Sequence, residues 1–126
     1  MPMALKRVVI IEDDNQIINL VTLILSQQGY EVYGAESGAD GLDLVRDLLP
    51  DLILLDLMMV DIDGWDVYER LKGDPELQNI PVIVVTAKAQ SIDVKLGLQI
   101  AKVDDYITKP FSPQQLLVSV EQVLNR

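Results

Sequence analysis

Short apolar runs alternate with amphipathic stretches five times along this chain. Val8-Val9-Ile10-Ile11, Leu52-Ile53-Leu54-Leu55, Val82-Ile83-Val84-Val85 and Val103 to Ile107 each read as a strand, and Glu31 to Ala35 adds a short second one. Between the first two, Ile17, Leu20, Val21, Ile24 and Leu25 recur at i, i+3, i+4, i+7 and i+8, one apolar face of a helix. Gly29 closes that helix. Ser37 caps a second helix, whose far end is limited by Pro50. Asp63-Gly64 makes a turn into a third helix with Val67, Tyr68 and Leu71 on its buried face. Pro75 and Pro81 bracket the loop to the fourth strand. A fourth helix spans about Ser91 to Ala101, weakened by Gly97. Ser112, Pro113 and Gln115 form an N-cap, a first-turn proline and a capping box for the last helix, with Leu117, Val120 and Leu124 as its buried face. Strands alternating with helices predict an α/β fold built on a parallel sheet.

In an open parallel sheet, ligands bind in the crevice outside the carboxyl ends of the strands. Chemistry-bearing residues follow four of the predicted strands: Glu12-Asp13-Asp14, Asp56, Thr86-Ala87 and Lys109-Pro110. Carboxylates facing one lysine and a hydroxyl are the composition of a divalent-cation and phosphoryl site. Each residue also has a bland reading: an aspartate at a strand end caps turns, a threonine suits a strand end, and a loop lysine is usually solvated. Their order, each at the end of its own strand, favours the chemical reading.

The segments VVIIEDD, DLILLDLMMVDIDG, PVIVVTA and DDYITKPF, in that order over nearly the whole chain, resemble the receiver domain of two-component response regulators. The resemblance implies a flavodoxin-like doubly wound sheet of five parallel strands in the order 2-1-3-4-5, with helices on both faces. It implies a single receiver domain over residues 1–126, with no effector domain in this sequence. Asp56 would accept a phosphoryl group from a histidine kinase or phosphotransfer protein docking beside the site on the first helix. Thr86 and Lys109 would bind the phosphoryl oxygens. Asp13 would ligate Mg²⁺ (Mn²⁺ substituting) directly and Glu12 through water, with an oxygen from Asp56 and the backbone carbonyl of Met58. The Met58 sulfur is too soft for that ion. Asp14 reads as structural, near a helix N-terminus where negative charge is favoured.

The resemblance further makes Thr86 and Tyr106 a conformational switch, although Tyr106 reads equally as an amphipathic residue on a partly buried strand. A cis Lys109-Pro110 bond belongs to the family. Met58 and Lys88 would flank the phosphoryl group and tune its slow hydrolysis. The output partner would engage the face formed by the fourth helix, fifth strand and fifth helix. Such a protein catalyses only its own phosphorylation and dephosphorylation. Two departures stand out: Val60 stands where many receivers have proline, and Ala101-Lys102-Val103-Asp104-Asp105 lacks the glycine and small residue common there, the stretch between Thr86 and Tyr106 being one residue longer than usual.

Composition narrows the field. Cysteine and histidine are both absent, which excludes disulfides, thiol and Ser-His catalysis, and His- or Cys-ligated metals. A formal net charge of −10 argues against a direct nucleic-acid grip. No stretch approaches a membrane span, and Met1 to Arg7 lacks the core of a signal peptide, so a cytoplasmic protein is expected. Three other functions fit the same pattern less well. A phosphorylation-independent adaptor would not need its five site residues intact. An aspartyl phosphatase commonly has a second aspartate where Met58 stands. An FMN protein would be repelled at the phosphate by the strand-end acids.

Overall fold

Five parallel strands, β1 (Arg7–Ile11), β2 (Glu31–Ala35), β3 (Leu52–Leu55), β4 (Val82–Thr86) and β5 (Asp105–Thr108), pair in the order β2-β1-β3-β4-β5. This computed structural model describes residues 5–126. The central strands β1, β3 and β4 are buried on both faces, which is why they read as unbroken apolar runs rather than alternating ones. Alternate residues supply two cores. Val9, Ile11, Ile53, Leu55, Val82, Val84 and Tyr106 face α2 (Gly38–Leu48) and α3 (Gly64–Gly73). Val8, Ile10, Leu52, Leu54, Ile83, Val85 and Ile107 face α1 (Asn15–Ser26) and α5 (Pro113–Leu124).

The helix starts follow their local chemistry. The side chains of Asp14, Ser37 and Asp63 accept the backbone N–H groups of Gln16, Asp40 and Trp65, satisfying donors that the first helical turn leaves free. Ser112 and Gln115 form the complete capping box of α5, with Pro113 at the first position. Gly29 takes φ +89 in the turn after α1.

Four expectations need correction. On α1 the apolar stripe is Val21, Ile24 and Leu25 with Ile17 and Ile18 at its edge; Leu20 is exposed, because the helix leans toward β2, where a Cβ on Gly34 would lie 2.6 Å from Ile18. On α5 the buried residues are Leu116, Ser119, Val120 and Val123, so the helix is rotated from the predicted Leu117–Val120–Leu124 face and carries Leu117 and Leu124 on its flanks. The fifth strand begins at Asp105 rather than Val103. Asp104 uses its carboxylate to accept the Val82 N–H at 2.7 Å, taking a bond that a strand carbonyl would otherwise make. The fourth helix is α-helical only over α4 (Ser91–Lys95) and continues as a π-helical segment (Leu96–Ala101). A π turn holds one more residue than an α turn, because its hydrogen bonds span five residues instead of four. Lys102, just after that segment, holds φ +60.

Candidate functional site

β1 and β3 lie side by side, so Glu12 and Asp56 emerge next to one another at the carboxyl edge. The Asp56 N–H donates to Ile11 O at 3.0 Å, and the Glu12 N–H donates to Ala35 O at 3.0 Å, so both acids leave the sheet from anchored backbones. Glu12 is 2% exposed and Asp56 4%, whereas Asp13 is exposed. Oxygens of Glu12, Asp13 and Asp56 lie within 4.8 Å of one another. Three hard oxygen donors at that spacing, two of them buried, are the donor set that a cation such as Mg²⁺ takes.

Lys109 closes the site from the loop after β5. Its ammonium donates to Glu12 Oε1 and lies 3.4 Å from Asp56 Oδ2. Its backbone N–H donates to Thr86 O at 2.8 Å, which ties that loop to the end of β4, and the Lys109–Pro110 peptide is cis. Asp56 Oδ1 accepts the Met58 N–H at 3.1 Å, so each carboxylate oxygen of Asp56 has a partner. The Met58 side chain is about half exposed beside it.

The electrostatics follow from burial. Desolvation pushes the Glu12 carboxyl up from its ordinary 4.5 to about 7, opposed by the Lys109 ammonium and the Asp14 N–H and reinforced by Asp56. Lys109 is desolvated too, but its hydrogen bond to Glu12 and the charge of Asp56 outweigh that and raise it above its ordinary value. The two upward shifts agree, because one ammonium serves two buried carboxylates. Adding positive charge here is favoured, whether a proton or a cation.

Thr86 is fully buried at the end of β4, and its Oγ1 accepts the Lys88 N–H at 3.4 Å. A hydroxyl that accepts through a lone pair keeps its proton free to donate. Tyr106 is 9% exposed with its ring in the core and its hydroxyl donating to Lys88 O at 2.7 Å. Asp14 caps α1, with Oδ1 accepting the Gln16 N–H at 2.9 Å, and is not one of the clustered acids.

Two supporting residues escaped the sequence reading. Gly64 begins α3 hard against the Asp56 backbone: a Cβ there would lie 2.5 Å from Asp56 O and 2.4 Å from Leu57 Cα, so only glycine lets the helix approach. Asp61 reaches across to α2 and accepts the N–H groups of Gly38 at 2.9 Å and Ala39 at 3.1 Å, and these bonds hold its carboxyl below the usual range. The Asp-Gly pair was visible as a turn. The partner of Asp61, more than twenty residues away, left no local signal.

The chain is thus a doubly wound parallel sheet with a cluster of acids and one lysine at its carboxyl edge. Residues 8–121 match the model of the response regulator receiver domain, and the chain belongs to that family. Among curated proteins it is 37% identical over 121 residues to the DNA-binding response regulator MtrA of Mycobacterium tuberculosis, covering 96% of this chain and 51% of that protein. The chain thus spans about half the length of the curated relatives it matches. Among solved structures, a putative response regulator from Chloroflexus aurantiacus superposes with a TM-score of 0.90 at 31% identity, covering 98% of this chain and 100% of that one. The chemotaxis protein CheY4 of Vibrio cholerae shares the fold, with a TM-score of 0.88 at 24% identity over 96% and 100% of the two chains. Among the described residues, no helix is long and apolar enough to cross a membrane.

Proposed function

We propose that this chain is a phosphoacceptor switch in which Asp56 takes a phosphoryl group from the phosphohistidine of a histidine kinase or phosphotransfer protein. The observation that carries this reading is the buried Asp56 carboxylate, partnered by Lys109 and clustered with Glu12 and Asp13. An Asp56 oxygen forms a bond to phosphorus, the phosphorus–nitrogen bond breaks, and the imidazole leaves with a proton from solvent. Glu12, Asp13, Asp56 and the Met58 carbonyl would hold Mg²⁺, or Mn²⁺ in its place, which when bound neutralises charge on the carboxylates and on the incoming phosphoryl group.

The chain's own residues position the reaction. The Met58 N–H fixes the Asp56 carboxylate, while Lys109 and the free Thr86 proton are the donors for the new phosphoryl oxygens. Water later attacks phosphorus and breaks its bond to Asp56 in a slow step flanked by Met58 and Lys88. The product state biases a two-state equilibrium only as far as Thr86 and Lys109 prefer it in one conformation. Its output passes through the face of α4, β5 and α5. The similarity to DNA-binding response regulators suggests a DNA-binding output domain there, with the receiver itself making no nucleic-acid contact. A cytoplasmic setting accompanies this reading.

Intact mass after incubation with acetyl phosphate, with and without Mg²⁺ and beside Asp56→Asn, tests the proposal. A Mg²⁺-dependent gain of one phosphoryl group that the variant lacks is the expected result. No gain in any condition would reject it in favour of the phosphorylation-independent adaptor, for which partner binding retained by Asp56→Ala would be the signature.

A further inference from the structure

Gly97 is buried at the start of the π-helical segment, where it faces Tyr106. A Cβ at this position would lie 2.6 Å from Tyr106 Cδ2 and 2.9 Å from Cε2, with Trp65 Cη2 at 3.6 Å. Gly97 cannot easily retreat. Its carbonyl accepts the N–H of Lys102, closing the π turn, and that of Val103 at 3.0 Å. On its other side the Tyr106 ring is anchored by the hydroxyl bond to Lys88 O, and Lys88 N–H in turn donates to Thr86 Oγ1. A contiguous chain of contacts therefore runs from the backbone of the π segment, through Tyr106 and Lys88, to the hydroxyl of Thr86.

We propose that Gly97 is a positioning residue: the space left by its missing side chain lets Tyr106 sit inward, and through Lys88 this sets the Thr86 hydroxyl. Elsewhere on a helix, alanine would be the better residue by propensity, so glycine here serves the close approach of the tyrosine ring. An interior packed at this density does not deform continuously, so a methyl group at 97 displaces the ring rather than compressing it. The consequence for phosphoryl chemistry rests on the function proposed above; the coupling itself does not.

The test is NMR on fluorotyrosine- and ¹⁵N-labelled Gly97→Ala, with the Tyr106 fluorine signal assigned through Tyr106→Phe. In Gly97→Ala the Tyr106 fluorine and the Lys88 amide should both move, while Tyr30 and Tyr33 stay in place. An unmoved Tyr106 signal would overturn the packing argument, and a moved Tyr106 with an unmoved Lys88 would overturn the path to Thr86. Should Gly97→Ala not fold, Gly97→Ala combined with Tyr106→Ala decides: recovered folding supports the clash, and continued failure rejects it. In protein that takes up phosphate from acetyl phosphate, Gly97→Ala should change the rate of phosphoryl loss by about two- to thirtyfold, the range for residues along a coupled path. Absence of phosphate uptake by the unmodified protein would reject the phosphoacceptor reading and leave the coupling to be judged by the two NMR signals.

Discussion

Glu12 concentrates the electrostatic problem of this site: it is almost wholly buried, beside Asp56, and shares one ammonium with it. With its carboxyl raised to about 7, the folded protein without metal carries a proton there between roughly pH 4.5 and 7 that the unfolded chain has lost. That contribution to stability is full below 4.5 and disappears as pH rises through about 7. A cation competes with the same proton, so the sign for binding is opposite: Mg²⁺ affinity should rise as pH increases toward 7 and level off above it. A Mg²⁺ titration followed by Trp65 fluorescence at several pH values checks this, and Glu12→Gln should flatten the dependence. Lys102 offers a separate residue-scale prediction. A left-handed conformation costs a non-glycine residue roughly 1–2 kcal/mol, offset in part by the greater unfolded-state freedom of glycine. Lys102→Gly should therefore stabilise by about 0.5–1 kcal/mol, read as a higher urea midpoint at unchanged slope.

Among the elements, those whose ends depend on neighbouring residues were legible and those whose geometry depends on distant ones were not. The capping box of Ser112 and Gln115 lies within four residues, so it was readable and forms as written; Ser112→Ala should cost about 1 kcal/mol in thermal or urea unfolding. The rotation of α5 and the lean of α1 were not readable, because an apolar stripe wider than the contact leaves the helix free to choose which edge to bury. Nor was the π segment, whose wide turn is closed by backbone bonds from Lys102 and Val103 to Gly97 O that no residue type marks. α2 illustrates packing that periodicity cannot show. A Cβ on Gly41 would meet three side-chain atoms of Ile11 at 2.7 Å, so the helix lies unusually close to β1. Gly41→Ala should destabilise by about 1–3 kcal/mol through overpacking despite its gain in helix propensity, and Ile11→Val in the same chain should restore part of the loss.

At the scale of the molecule, a net charge of −10 is joined to a focal cluster of acids, so a bound divalent cation should stabilise the whole fold. Mg²⁺ at about one hundred times its dissociation constant should add about 2.7 kcal/mol, measured by unfolding against an ionic-strength-matched NaCl control. Asp13→Asn should lose most of that increment while folding normally, because Asp13 is exposed and its removal leaves no buried group unpaired. The sequence by itself determined the strand and helix alternation, the parallel sheet and the strand ends on which Glu12, Asp56, Thr86 and Lys109 lie. Those features rest on period and on local turn chemistry, which a short window of residues contains. Only the tertiary structure decided that Lys109 bonds Glu12 as well as Asp56, that Asp61 caps a helix from another loop, and that Tyr106 lies against Gly97. Each of these depends on the distance between groups on elements far apart in the chain, and that distance is set by how the helices settle on the sheet.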